Sequence, residues 1–408
     1  MSFYSDPKYL VLPAWPHTTG KGHGIWRTLG DNNNNASGLF MMPKSLVCLL
    51  LVGGLLAGCG PTDSVEQQAP VAKTLAPAST PIACATVAGM TPICGFHNPE
   101  DLAVVPGGEF LLVSEMGAFM THEPTTIALL DIANSQRLPL QINWQTTEPR
   151  WGDAACVAPE AGKFSPHGID LMTRADGRHQ LLVVNHGDEQ VEFFELVAAG
   201  ANSRLDWKGC AKPGNDAYMN DVASLNDGGF FVTHMWNKST PFETVVAQLT
   251  AGEKVGWVWE WQAATGFTKL PGSDELMPNG ITTNKDNTKL FINIYMANKT
   301  IKVERLTGVV EGEVSVRSPD NVVIDANGNL WIASHLHDPI NDRCADGQPG
   351  PCLLEFQIIK ANSADMTSEV ALQHKGEPMG YATVALPHNG RLYMGSAHGD
   401  RVASIALK

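Results

Sequence analysis

Five short segments carry oxygen-bearing side chains where a β-strand would be expected to begin with apolar ones. They are Asn98-Pro99-Glu100-Asp101, Pro166-His167-Gly168-Ile169, Asn220-Asp221, Pro278-Asn279-Gly280 and Asp320-Asn321. Each alone is ordinary, since Asn, Asp and Gly are common turn residues. Their recurrence in one setting is the signal. A fold that brought them to one axis would collect carboxylates and carboxamides with no cation among them. Left unpaired, that cluster would cost on the order of several kcal/mol in repulsion and lost hydration. A hard divalent cation resolves the conflict. Carboxylate and amide oxygens without thiolate suit Ca²⁺, which takes about 6–8 oxygen ligands.

The elements that must position these residues form a sixfold repeat. Each copy is a short apolar strand, a turn with Gly, Asn or Asp, and a second apolar strand. The copies are DLAVVPGGEFLLVSE from Asp101, GIDLMTRADGRHQLLVVNH from Gly168, DVASLNDGGFFVTHMW from Asp221, GITTNKDNTKLFINIY from Gly280, NVVIDANGNLWIASH from Asn321 and TVALPHNGRLYMGSAH from Thr383. The turn residues predict hairpins. The spacing, roughly 40–70 residues, is the length of a propeller blade. Between the copies lie further strand-like runs, TTIALLDI, QVEFFELV, TVVAQLT, KVGWVWEW, TIKVERL and CLLEFQII. The expected fold is all-β: a six-bladed propeller with four-stranded blades around a central calcium-containing channel. In such a fold the first strand of every blade lines the channel, so the five polar segments converge.

Composition limits the remaining possibilities. The chain has 408 residues, 43% of them hydrophobic, enough for a sizeable core. With 28 Lys and Arg against 42 Asp and Glu, the net charge of −14 repels a phosphate backbone and argues against nucleic acid as a partner. No GxSxG elbow, HExxH or Walker loop occurs, which removes the serine-hydrolase, zinc-protease and NTPase readings.

The N-terminal part reads as targeting sequence. Residues 1–40 hold no periodic segment, and translation is expected to start at Met41 or Met42, with 1–40 an upstream or disordered extension. Residues 41–59 form a signal peptide: Lys44, an apolar run from Leu46 to Ala57, then Leu56-Ala57-Gly58-Cys59, a lipobox. Cys59 is the expected lipidation site, and residues 60–81, rich in Pro, Ala, Ser and Thr, a flexible tether. The propeller is expected over 82–408. Export implies an oxidising compartment, so Cys84, Cys94, Cys156, Cys210, Cys344 and Cys352 should form disulfides. Six cysteines allow 15 connectivities; nearest-neighbour pairing gives Cys84–Cys94, Cys156–Cys210 and Cys344–Cys352.

FSPHGID (Phe164–Asp170), LLVVNH (Leu181–His186), MNDVA (Met219–Ala223), PNGI (Pro278–Ile281) and PDNVVIDANGNLWIASH (Pro319–His335) resemble the paraoxonase/arylesterase group of the gluconolactonase-type propellers, over about residues 95–408. The resemblance implies two calcium ions. The catalytic ion's ligands match Glu100, Asn220, Asn279, Asp320 and Asn321; the structural ion's match Asp101, Asp221 and the carbonyl of Ile169. It also implies a histidine pair at His167 and His186 and a third channel histidine at His335, a substrate contact. Imidazole is poised near neutrality for moving protons, so His167 is the candidate base, with His186 orienting or relaying for it; Asp320 as nucleophile is the rival. The implied activity is calcium-dependent hydrolysis of small lactones or aryl esters. The alternatives are a sugar lactonase on the same scaffold and a non-catalytic, calcium-stabilised binding module. Family sorting rules place a lipoprotein with Gly60 after its lipidated cysteine in the bacterial envelope, at the outer membrane, facing the periplasm or the surface. Unlike vertebrate members, this chain has no C-terminal cysteine, so strand pairing alone must close the ring.

Overall fold

A computed structural model describes residues 73–74, 81–117, 123–214, 216–344 and 350–407. The proposed extension, signal peptide and lipidated Cys59, and nearly all of the 60–81 tether, lie outside these residues.

Six antiparallel sheets carry the fold. Blade 1 is built from Pro99–Val104, Phe110–Glu115, Ile127–Asp131 and Gln136–Pro139. The first strands of the next five are Pro166–Thr173, Ala217–Ser224, Pro278–Thr283, Pro319–Ile324 and Ala382–His388. Each first strand packs against that of the next blade, and the sixth packs against the first, so the six line a closed channel. Each first hairpin is one of the six repeats. Its turn needs backbone that L residues avoid, supplied in blade 1 by Gly107 at φ 103° and in blade 4 by Asn287 at φ 54°.

Both faces of the inner strands of each sheet are buried, which is why those strands read as nearly continuous apolar runs. Side chains alternate between two neighbours. Leu111 and Val113 pack toward blade 6, with Val384, Tyr393 and Val402, while Leu112 packs toward blade 2, with Leu181, Val183 and Trp207. Each of the other blade interfaces holds its own apolar cluster in the same way.

Two details differ from expectation. Blade 2 has a fifth strand, Gln141–Asn143, paired in parallel with Arg204–Ala211. TVVAQLT is helical: Phe242–Thr250 is an α-helix that follows Pro241 and buries Val245 and Leu249. That i, i+4 spacing is one helical face, and a seven-residue apolar run does not distinguish it from a strand.

The three disulfides pair as nearest neighbours, with Cα separations of 6.2, 5.6 and 5.7 Å for Cys84–Cys94, Cys156–Cys210 and Cys344–Cys352. Strand pairing closes the ring. Thr91–Cys94 adds to blade 6 as its outermost strand, antiparallel to Arg401–Ala406. Arg401 clamps the closure. It is buried at 1% exposure and donates to the carbonyls of Ile82 (3.0 Å), Ala83 (3.1 Å) and Pro378 (3.2 Å). Arg401→Ala would leave three carbonyls without that donor, and we expect a loss of about 3 kcal/mol in thermal or denaturant unfolding. A variant melting with the wild type would remove the clamp from the account.

Candidate metal centre

The channel residues owe their placement to a repeated irregularity. In all six blades the register between first and second strand slips near the start of the first strand, at its second or third residue in five blades and around Asn220 and Asp221 in blade 3. Such a bulge inserts one extra residue and re-aims the side chains beside it. Two successive positions are affected. The first carries Glu100, His167, Asn220, Asn279, Asp320 and Thr383; the second carries Asp101, Gly168, Asp221, Gly280, Asn321 and Val384. Gly168 and Gly280 are needed for close approach: a Cβ would lie 2.6 Å from the Asn220 carbonyl oxygen at Gly168 and 2.4 Å from that of Asp320 at Gly280.

The five proposed catalytic-ion ligands come together. Asn321 Nδ2 donates to Glu100 Oε1 at 2.7 Å, and Asn220 Nδ2 donates to His167 Nε2 at 3.1 Å. Glu100 Oε1 lies 3.8 Å from His167 Nε2, and Asn279 hydrogen-bonds the Asp320 carboxylate. With the amide nitrogens so committed, Glu100 Oε2 and the Oδ1 atoms of Asn220, Asn279 and Asn321 are buried acceptors without a donor. A buried acceptor left unpaired costs about 1–3 kcal/mol, so the protein alone does not satisfy this arrangement.

Charge points the same way. Burial, then repulsion from Asp101, Asp320 and Asp221, pushes the Glu100 carboxyl well above its usual range. Burial pushes Asp320 up to about 8. The ion-pair partners of these carboxylates are His167 and His335, the latter 3.4 Å from Asp320. Burial holds both imidazoles well below their usual range, so neither supplies a positive charge at neutral pH. Among the described residues no three His, Cys, Asp or Glu side chains form a metal-ligating group. The set here is of another kind, two carboxylates and three carboxamides. That donor set fits a hard cation such as Ca²⁺.

The proposed second-ion residues also lie close, with a different engagement. Asp101 accepts the Leu102 and Ile169 amides, each at 2.8 Å, and Asp221 accepts those of Val222 and Ile281, each at 2.8 Å. Each carboxylate thus reaches the next blade, at the amide that follows its glycine. Ile169 meets Asp101 through its N–H. Burial raises Asp101 to about 7, and it raises Asp221 well above its usual range, with Asp101 adding to that shift. Asp170, which the sequence reading passed over, repels both.

His167 and His186 form an edge-to-face pair with ring centroids 4.8 Å apart. His186 meets Glu189 Oε1 through Nδ1 at 3.1 Å and stacks on Tyr218 at 4.9 Å. Asn185 Oδ1 accepts the Ser165 and Gly187 amides at 2.9 and 3.0 Å, pinning together the backbones that carry the two histidines. Neither Glu189 nor Asn185 was singled out from sequence. His335 is fully buried and has both ring nitrogens engaged, with Tyr295 Oη at 2.9 Å and the Ala382 carbonyl at 3.0 Å. Its geometry supports Asp320 and leaves no free nitrogen for a substrate.

A six-bladed propeller with an oxygen-lined, cation-fitting channel is the class these features define. The arylesterase family model matches residues 95–399, and the chain belongs to the arylesterase family. No curated protein matches the chain significantly. Among solved structures it is similar to a gluconolactonase from Xanthomonas campestris, at 14% identity over 83% of this chain and 98% of the other, with a TM-score of 0.47. It is likewise similar to the calcium-binding protein regucalcin from Agrobacterium tumefaciens, at 14% identity over 78% and 91% of the two chains, with a TM-score of 0.44. These likenesses are distant, and the reading of the site rests on this chain's own geometry.

The raised carboxyls predict a pH signature in chelator-treated protein. Asp101 and Asp320, at about 7 and about 8 when folded, would titrate near 4 when unfolded. The folded state therefore holds more protons across that interval, and this contribution to stability falls as pH rises. Buried neutral histidines act oppositely, but only up to about pH 6.5. From pH 7 to pH 9 the melting temperature without metal should fall, and calcium should abolish the fall. Equal slopes with and without calcium would contradict the site.

Proposed function

We propose that this protein is a calcium-dependent hydrolase of lactones or aryl esters. The observation that carries the reading is the set of four buried, donorless oxygens on Glu100, Asn220, Asn279 and Asn321, beside Asp320 and next to His167. Glu100, Asn220, Asn279, Asp320 and Asn321 would hold the catalytic ion, and Asp101, Asp221 and Ile169 the second. When bound there, calcium would supply Lewis acidity toward an ester or lactone carbonyl and positive charge where negative charge develops on its oxygen.

The chain's own residues do the rest. His167, neutral through burial, turns Nε2 toward Glu100 and the ligand cluster, where the Asn220 amide donates to it. In this reading water displaces that amide at Nε2 and gives its proton there on attack, and His186 orients the ring. Asp320 is held by Asn279 and His335; its fixed carboxylate is a ligand in this reading and a nucleophile in the rival one. The apolar blade interfaces keep bulk water from the channel wall, where hydrogen bonds and charges act most strongly. Family membership supports the hydrolase class, and the finer choice among lactone, aryl ester and sugar lactone belongs to the proposal. The Leu56–Cys59 lipobox supports a lipid anchor at Cys59 and a place in the bacterial envelope.

Phenyl acetate and a set of γ- and δ-lactones, assayed with and without EDTA, test the reading. Turnover should be lost with chelation and return with calcium; turnover indifferent to EDTA would sink it. His167→Gln should lower kcat by about 100-fold or more while leaving calcium content intact. Loss of the metal in that variant would mark His167 as structural.

A further inference from the structure

The turn that joins the second and third strands of blade 2 carries more chemistry than a turn requires. It runs His186-Gly187-Asp188-Glu189, and Glu189 sits at φ 48°, a left-handed conformation that costs an L residue about 1–2 kcal/mol. Gly or Asn would fill that position more cheaply. Glu189 is nonetheless 3% exposed and commits both carboxylate oxygens. Oε1 accepts from His186 Nδ1 at 3.1 Å and from Lys238 Nζ at 3.0 Å; Oε2 accepts the Met219 amide at 3.3 Å. Backbone strain retained at a buried charged residue points to a role beyond folding.

The hydrogen-bond directions define that role. Glu189 is paired with a lysine, so it is anionic and accepts only. His186 must then carry a proton on Nδ1, and in its neutral form it presents Nε2 as a lone pair. That Nε2 is buried with no partner. On the other ring, the Asn220 amide donates to Nε2 of His167, so His167 carries its proton on Nδ1, which is also buried with no partner. The two imidazoles meet edge to face at 4.8 Å, packed and not hydrogen-bonded to each other. Tyr218 stacks on His186, and Trp236 stacks on Tyr218 at 4.8 Å, holding the His186 ring plane.

We propose that Glu189 is the positioning residue of the histidine pair: through Nδ1 it fixes the tautomer and ring of His186, whose edge-to-face packing in turn holds the His167 ring with Nε2 turned toward the ligand cluster. Lys238 anchors the end of this chain, and His167 Nε2 ends it at the site. The proposal rests on the hydrolase reading for its consequence in turnover, but not for the tautomers themselves. Burial would raise the Glu189 carboxyl, yet the hydrogen bonds from His186 and Lys238 and the charge of Lys238 hold it below its usual range, consistent with a permanent anion.

Glu189→Gln keeps the shape and removes the charge. Two readouts separate positioning from mere structure. The first is ¹⁵N NMR of the histidine rings: the wild type should show His186 protonated on Nδ1, and Glu189→Gln should shift it toward the Nε2–H form. The second is steady-state hydrolysis of phenyl acetate with calcium present. There kcat should fall about 10–100-fold with KM changed less than about twofold, and Glu189→Asp should restore part of the loss. Lys238→Met, which leaves the Glu189–His186 bond in place, should cost less than Glu189→Gln. A kcat within twofold of an active wild type in Glu189→Gln would overturn the proposal and leave the hydrolase reading standing. An inactive wild type would sink the hydrolase reading, and the ring spectra would then decide the proposal alone. If Glu189→Gln does not fold, the wild-type spectrum decides it: His186 protonated on Nε2 overturns the assignment.

Discussion

The structure depends on a group of oxygen lone pairs with nothing to receive. At the axis of the propeller, Glu100, Asn220, Asn279 and Asn321 each turn a buried acceptor toward a place where the protein has no donor, and the nearby imidazoles are neutral. Burying such groups is costly unless a cation compensates them. The same cost explains why the amide nitrogens are all spent sideways, on Glu100, His167 and Asp320. Each carboxamide gives a hydrogen to a neighbour and keeps a buried oxygen without a donor. A centre preorganised in this way also satisfies a requirement of catalysis, that charges be fixed before the reaction begins.

The fold makes this arrangement possible through two features of the inner strands. The bulge near the start of every first strand brings two successive side chains into play around the axis, where a regular strand would bring one. The alternation of Asp101, Gly168, Asp221 and Gly280 then interlocks the blades. Asp101 and Asp221 each accept the amide that follows the glycine of the next blade, and each glycine lets the first strand of the blade beyond it come close. Blade packing and site geometry are therefore one problem. A side chain added at Gly168 or Gly280 would push apart the strands that carry the ligands. Closure by Thr91–Cys94, clamped by Arg401, keeps the sixth blade from opening that ring.

Much of this was legible in the sequence. The hairpin repeat was visible because its turns need particular residues, and the buried polar residues of the channel because polar side chains recur where strands begin. The disulfides followed from proximity along the chain. What escaped was set by tertiary partners. Glu189 reads as a solvated turn residue until Lys238, some fifty positions away, is seen beside it. His335 reads as a rim histidine until Tyr295 and Ala382 are found to occupy both its nitrogens. Phe242–Thr250 was ambiguous for a local reason, since a short apolar run with i, i+4 burial fits either period. The engagement of Asp101 and Asp221 with backbone amides depends on register between blades, which a single strand does not encode.

The most direct test is a crystal structure of the protein grown with calcium, with anomalous data collected at long wavelength. The account predicts an anomalous peak on the channel axis, at about 2.3–2.6 Å from oxygens of Glu100, Asn220, Asn279, Asp320 and Asn321. Those oxygens bound only to ordered water, with no anomalous peak at saturating calcium, would contradict it.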